Sequence, residues 1–139
     1  MKSEARILGI DLGDARVGVA VSDELAMLAH PVETIAVRDD GVLERICELS
    51  TSYRVAEIVV GVPRNMDGSR GPAAQKALDF IETLRRKTSC RIVPWDERLS
   101  TVQAQRQLHE AGRKSRQHRA VIDQAAAQII LQSYLDSRV

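Results

Sequence analysis

Ile7-Leu8-Gly9-Ile10-Asp11-Leu12-Gly13-Asp14-Ala15-Arg16-Val17-Gly18-Val19-Ala20-Val21 is two apolar runs joined by a Gly-Asp-Ala-Arg turn, and it decides the fold class. Each run is short, rich in branched or small residues and bounded by turn-formers, so the pair reads as a β-hairpin. Asp11 interrupts the first run. A carboxylate between Ile10 and Leu12 is a charge in a buried strand, and burial there requires either a local cation, for which Arg16 is the nearest candidate, or a bound ion. Gly13, directly after it, would let a ligand come close to the backbone.

Working outward, apolar periodicity alternates between strand-like and helix-like stretches. A third strand is expected at Thr34-Ile35-Ala36-Val37, and Asp39 or Asp40 can cap a helix through Leu43, Ile46, Cys47 and Leu49. Strand four runs from Glu57 to Val62 and stops at Pro63. A second helix opens at Gly71-Pro72 and carries Ala73, Ala77, Leu78, Ile81 and Leu84. Strand five runs from Arg91 to Glu97, Ser100 or Thr101 caps a third helix ending at Gly112, and a last helix spans Arg119 to Ser137. The order β-β-β-α-β-α-β-α-α predicts an α/β fold: a five-stranded mixed sheet, its opening meander antiparallel and its later strands joined in parallel through helical crossovers. Ligands of such sheets gather at the carboxyl ends of the parallel strands, where Asp11, the loop after Pro63 and Glu97 all fall.

The 139 residues, with no repeat or linker, suit one domain spanning 1–139. With 20 basic and 19 acidic residues, bulk charge names no partner. The polar first six residues and the short, glycine-interrupted run after them exclude a signal h-region or membrane span there, so a cytoplasmic protein is expected. Cys47 and Cys90 have no CxxC or Cys/His spacing and read as buried reduced thiols. His30, His109 and His118 lack metal-ligand spacing, and no nucleophile elbow or cysteine–histidine arrangement occurs.

Chemistry therefore falls to carboxylates. Strand alternation points Asp96 and Glu97 to opposite faces, so only one can join Asp11, and the local residues do not choose between them. Asp123 has Ala126, Ala127 and Ile130 at its i+3, i+4 and i+7 positions, a small apolar face that lets the helix lie close to the sheet. Its other reading is an acid favoured near a helix N-terminus. Three converging carboxylates repel one another unless a cation lies between them, and an oxygen-only ligand set selects Mg²⁺ or Mn²⁺. Two such ions roughly 3.5–4 Å apart activate water and stabilise the leaving oxygen of a phosphodiester without a side-chain nucleophile.

Four blocks, Gly9 to Ala20, Gly61 to Gly68, Asp96 to Thr101 and Asp123 to Leu131, resemble the YqgF family and span almost the whole chain. The resemblance implies a ribonuclease H-like fold and a metal-dependent nuclease related to Holliday junction resolvases and associated with trimming the 5′ end of pre-16S ribosomal RNA. It also implies that Asp11, Glu97 and Asp123 are the catalytic and metal-binding acids, with a two-ion Mg²⁺ or Mn²⁺ site. Expected substrate contacts are Arg16, Asn65, Arg98, Ser100 and Thr101, together with Arg113, Lys114, Arg116 and Arg119. The last four lie in a stretch from Arg98 to Arg119 in which six basic residues face a single acid, Glu110. Gly112 to Arg119 has no apolar periodicity and reads as a phosphate-binding loop. With aromatic residues at 3% of the chain, backbone and shape recognition should exceed base stacking. The partner is then RNA, structured or single-stranded, or branched DNA, and the chain a monomer or weak homodimer. Two other classes stay open: a non-catalytic nucleic-acid-binding module, and an ATPase sharing the Asp-x-Gly opening, for which one domain is too short.

Overall fold

A computed structural model describes residues 5–37, 41–65, 67–100 and 116–138, the side chains of 116–124 excepted. Its sheet has the order β3-β2-β1-β4-β5, built from β1 (Arg6–Leu12), β2 (Arg16–Ser22), β3 (Ala29–Ala36), β4 (Val55–Val62) and β5 (Arg91–Asp96). The β1–β2 and β2–β3 pairs are antiparallel, whereas β1–β4 and β4–β5 are parallel. This is the mixed sheet that the hairpin and the two crossovers predict.

Helix α1 (Val42–Ser52) and helix α2 (Pro72–Arg85) supply the crossovers and cover one face. Alternation along the central strands sends Leu8, Ile10, Ile58 and Val60 into that layer with Ile46, Ile81 and Leu84. The opposite residues, Ile7, Ala20 and Val59, pack under α3 (Arg116–Ser137) with Ala126, Ala127, Ile130, Leu131 and Leu135. Among the described residues no helix is long and apolar enough to cross a membrane.

Several boundaries differ from expectation. β3 begins at Ala29, five residues early, because Pro31 lies on an edge strand and there removes no ladder bond the sheet requires. α1 starts behind Gly41 with no side-chain cap, in place of the capping expected from Asp39 or Asp40, which lie outside the described residues. β5 ends at Asp96, and Glu97 opens a 3-10 turn, Glu97–Leu99. The helix expected between Ser100 or Thr101 and Gly112 falls in residues 101–115, also outside the described set. α3 begins at Arg116, so Arg116 and Arg119 stand in its first turn rather than in a loop. Cys47 and Cys90 are free thiols but half-buried rather than buried.

What brings α3 down onto the sheet is Gly9. A Cβ built there would lie 2.7 Å from Leu131 Cβ and 3.2 Å from the Ala127 carbonyl oxygen, both fixed to the helix backbone. Gly9→Ala should therefore push α3 outward and cost about 1–3 kcal/mol, as overpacking of a filled core does. Urea denaturation checks this; an unchanged midpoint would mean that the helix yields freely.

Candidate active site

Asp11 is 1% exposed and lies on the α3 face of β1, two residues beyond Gly9. The parallel register pairs Ile10 with Val60, and its next step sets Asp11 beside Gly61, which in turn pairs with Trp95 of β5. Two residues past Trp95, on the same face, stands Glu97, also 1% exposed. Its carboxylate lies directly over Gly61: a Cβ there would be 2.8 Å from Glu97 Oε2 and 3.2 Å from Glu97 Cγ. A side chain at position 61 would occupy the space the carboxylate fills. The structure thus sets Asp11 and Glu97 on one face at the carboxyl ends of β1 and β5, with Gly61 of β4 between them. Nothing in the sequence beyond the glycine itself marked Gly61 as the seat of an acid.

Asp96 faces the other way. Its carboxylate takes Arg98 in a two-pronged grip, Arg98 Nη2 to Oδ2 at 2.8 Å and Nε to each oxygen at 3.2 Å, and accepts the Arg98 backbone N–H at 2.9 Å. The Arg98 guanidinium, opposed by partial burial, holds the Asp96 carboxyl below its ordinary range. Two consecutive acids therefore have different environments, one salt-bridged and half-buried, the other sealed beneath α3.

Asp123 belongs to α3, one turn ahead of Ala127. Tyr134 Oη donates to Glu57 Oε1 at 2.8 Å near the start of β4, while Ile130 Cδ1 would be 2.6 Å from a Cβ on Gly61 further along it. Going backwards along the helix is thus going towards the strand carboxyl ends. Seven residues from Ile130 to Asp123, at about 1.5 Å each, carry the backbone roughly 10 Å in that direction. Position 123 lies towards the end of the sheet where Asp11 and Glu97 meet.

The remaining candidates scatter. Arg16 opens β2, and its carbonyl accepts the Gly13 N–H at 2.8 Å. Gly13 accordingly serves the turn: a Cβ there would meet the Arg16 carbonyl oxygen at 2.7 Å, so the glycine faces its own chain rather than a ligand. Asn65 knits the loop after β4, donating from Nδ2 to Ser69 Oγ at 2.9 Å while its carbonyl accepts from Gly68 N at 2.8 Å. Arg98 reaches the same loop, with Nη1 3.3 Å from where Gly68 would bear a Cβ. Ser100 closes the 3-10 turn, its Oγ donating to the Glu97 carbonyl at 3.0 Å. Thr101, Arg113 and Lys114 lie outside the described residues, and Arg116 and Arg119 are placed by backbone alone.

The pair Asp11 and Glu97 is an oxygen-only, buried donor set of the kind that suits a hard divalent cation. One oxygen of each, Asp11 Oδ2 and Glu97 Oε1, is buried and accepts no hydrogen bond from the described residues, although both residues engage other groups. Among the described residues no three of His, Cys, Asp and Glu come together, so any third ligand would have to come from outside them, as the position of Asp123 allows.

A family model described as "RuvX: Holliday junction resolvase" matches residues 5–137. Relatives named "Putative pre-16S rRNA nuclease" include one from Halothermothrix orenii, 49% identical over 132 residues and covering 94% of each chain. Another from Geobacillus kaustophilus is 48% identical over 136 residues, covering 96% of this chain and 99% of its own. Among solved structures, Thermus thermophilus RuvC in complex with a Holliday junction substrate superposes with a TM-score of 0.56 at 18% identity, covering 96% of this chain and 95% of that one. That likeness shows a ribonuclease H-like fold.

Because Arg98 depresses the Asp96 pKa, the carboxylate contributes stability that is fully present above an unfolded-state value of about 4 and is lost as pH falls through the lower folded value. Asp96→Asn should lower the urea midpoint at pH 6, with the gap to wild type closing towards pH 2. A gap that stays constant with pH would mean that the Asp96 charge does not stabilise the turn.

Proposed function

Since the chain belongs to the RuvX family of Holliday junction resolvases, whose YqgF-type blocks its sequence carries, we propose that it is a metal-dependent nuclease whose substrate is the 5′ end of pre-16S ribosomal RNA. The burial of Asp11 and Glu97 on one face at one end of the sheet, with Glu97 over Gly61 of the strand next to Asp11's, supports this assignment. Burying two acids side by side is costly unless the site is built to hold positive charge. Asp11, Glu97 and Asp123 would hold Mg²⁺ or Mn²⁺, which when bound supplies Lewis-acid stabilisation and an activated water for attack on phosphorus. The protein's own part is to fix the ligands: Gly61 leaves room for Glu97, Ser100 and Arg98 hold its turn, and α3 shields the pair from bulk water.

Substrate backbone would lie across Arg16, Asn65, Arg98, Ser100 and Thr101, with Arg113, Lys114, Arg116 and Arg119 meeting phosphates. The first turn of α3 contains no acid and includes Arg116 and Arg119, the reverse of what a helix dipole favours, and a phosphate backbone there would offset that cost. Such a substrate is met in the cytoplasm. A second reading, resolution of a four-way DNA junction, is favoured by the family description and by the fold shared with RuvC, and it requires a dimer to cut two strands.

Incubating the protein with Mn²⁺ and either a 5′-extended 16S RNA fragment or a four-way DNA junction should give discrete RNA ends. Asp11→Asn, Glu97→Gln and Asp123→Asn should each lower turnover about 100-fold or more, the loss of at least a few kcal/mol of transition-state stabilisation, with circular dichroism unchanged. Symmetric junction cleavage by a dimer would replace RNA with DNA as the substrate. Binding without cleavage in either metal would leave a binding module.

Gly61→Ala separates site from scaffold. The atoms it would displace, Ile130 Cδ1 and the Glu97 carboxylate, are side-chain ends, so its stability cost should be smaller than that of Gly9→Ala. Its cleavage rate should nevertheless fall about tenfold or more through misplacement of Glu97. Normal turnover in a folded Gly61→Ala protein would detach Glu97 from catalysis.

A further inference from the structure

We propose that Ser133 is a positioning residue for the candidate metal site, fixing the place of Glu97 relative to α3; the inference rests on the metal-dependent nuclease function proposed above. Glu97, itself buried, stands at a corner of the architecture: a three-residue 3-10 turn at the end of β5, an edge strand with one neighbour. Such a turn has little stability of its own. From β5 the Trp95 indole donates Nε1–H to Ser133 Oγ at 3.1 Å, and Ser133 Oγ donates onward to the Leu99 carbonyl oxygen at 3.1 Å. Trp95 and Leu99 stand two residues before and two residues after Glu97. One hydroxyl, with one donor and two acceptor positions, thus brackets the acid from both sides.

Ser133 is on the same helix as Asp123, so the bridge sets the turn carrying one candidate ligand against the helix carrying another. Trp95 is steered further by an edge-to-face contact with Tyr134, ring centroids 5.3 Å apart. Within the turn, Ser100 Oγ donates to the Glu97 carbonyl and Arg98 is held by Asp96. Ser133 thus ties both flanks of Glu97 to α3. The bridge borders an open depression lined by Trp95, Leu99, Ser100 and Ser133, where water can replace a lost hydroxyl. Its removal should consequently disturb ligand placement more than folding.

The test compares wild type with Ser133→Ala, Ser133→Thr and Ser137→Ala, the last removing a hydroxyl that donates to the Tyr134 carbonyl at 2.7 Å on the same helix. Mn²⁺ binding is measured by titration calorimetry, melting temperature with chelator and with Mn²⁺, and cleavage of the 5′-extended RNA against metal concentration. Loss of a direct outer partner of a metal ligand weakens binding typically 10–100-fold, and Ser133 acts on Glu97 through its neighbours, so Ser133→Ala should raise the half-saturating Mn²⁺ about tenfold, the low end of that range, with the RNA KM unchanged, and Ser133→Thr should stay within about threefold of wild type. In chelator all four should melt alike, and Ser137→Ala should bind Mn²⁺ as wild type does. Normal Mn²⁺ binding by Ser133→Ala overturns the role of Ser133 alone. Lower melting in chelator with unchanged Mn²⁺ affinity also overturns it, marking a structural serine. A wild type that neither binds Mn²⁺ nor cleaves nucleic acid overturns the nuclease assignment, and the role of Ser133 with it.

Discussion

The approach of α3 to bare strand backbone at Gly9 and Gly61 is the constraint on which the rest of the molecule depends. Glycine within a strand forfeits packing and costs conformational entropy. Here two of them, on neighbouring strands and on one face, remove the Cβ atoms that would hold the helix off. Ala126 and Ala127 answer with small side chains, both almost fully buried. At Gly9 the vacated space is taken by helix backbone and Leu131. At Gly61 it is shared between Ile130 and the Glu97 carboxylate, so one device serves packing and places an acid.

The consequence is electrostatic. Asp96 and Glu97 are adjacent in sequence, yet the first ends β5 in a salt bridge with Arg98 and the second, opening the 3-10 turn, is buried over Gly61. Asp96 meets a guanidinium and sits below its ordinary pKa. Glu97 is buried on the same face and at the same end of the sheet as Asp11, and burying two carboxylates there carries a desolvation cost. Asp96 and Arg98 in turn help Glu97, because the Asp96 side chain caps the 3-10 turn through Arg98 N. The solvated acid is thus part of the framework of the buried one.

Much of this was legible because it rests on short-range rules. An aspartate between Ile10 and Leu12 announces a charge in a buried strand, whereas the separation of Asp96 from Glu97, expected from strand alternation, comes from the 3-10 turn that Glu97 opens after β5 ends. Which of the two joins Asp11 was not legible from the local residues, since the deciding neighbour, Gly61, is 36 positions away and contributes only an absence of atoms. The start of β3 was hidden by Pro31, which weakens a central strand but is harmless on an edge. The first turn of α3 was read as loop because Arg116 to Arg119 carry no apolar stripe. A helix anchored strongly further along needs none at its tip.

Among the described side chains, those of the second half of α3 anchor it at several points. Gln132 accepts from Ala29 N at 2.9 Å and donates to the Met27 carbonyl at 2.9 Å, and Gln128 donates to the Ala29 carbonyl at 3.0 Å. Tyr134 holds Glu57, and Ser133 holds β5 and the 3-10 turn. The helix is therefore clamped to β3 on one side of the sheet and to β4 and β5 on the other, with Gly9 and Gly61 between. Its 22 residues span about 33 Å. The half bearing Asp123 and the basic first turn extends towards the strand carboxyl ends from this fixed base. Side-chain amides and hydroxyls fix the place of a residue further along a helix only if they leave it no rotation about its axis. Contacts to both edges of the sheet meet that requirement, and the polar pattern Gln128, Gln132, Ser133, Tyr134, which breaks the apolar stripe of the helix, is where the sequence encodes it.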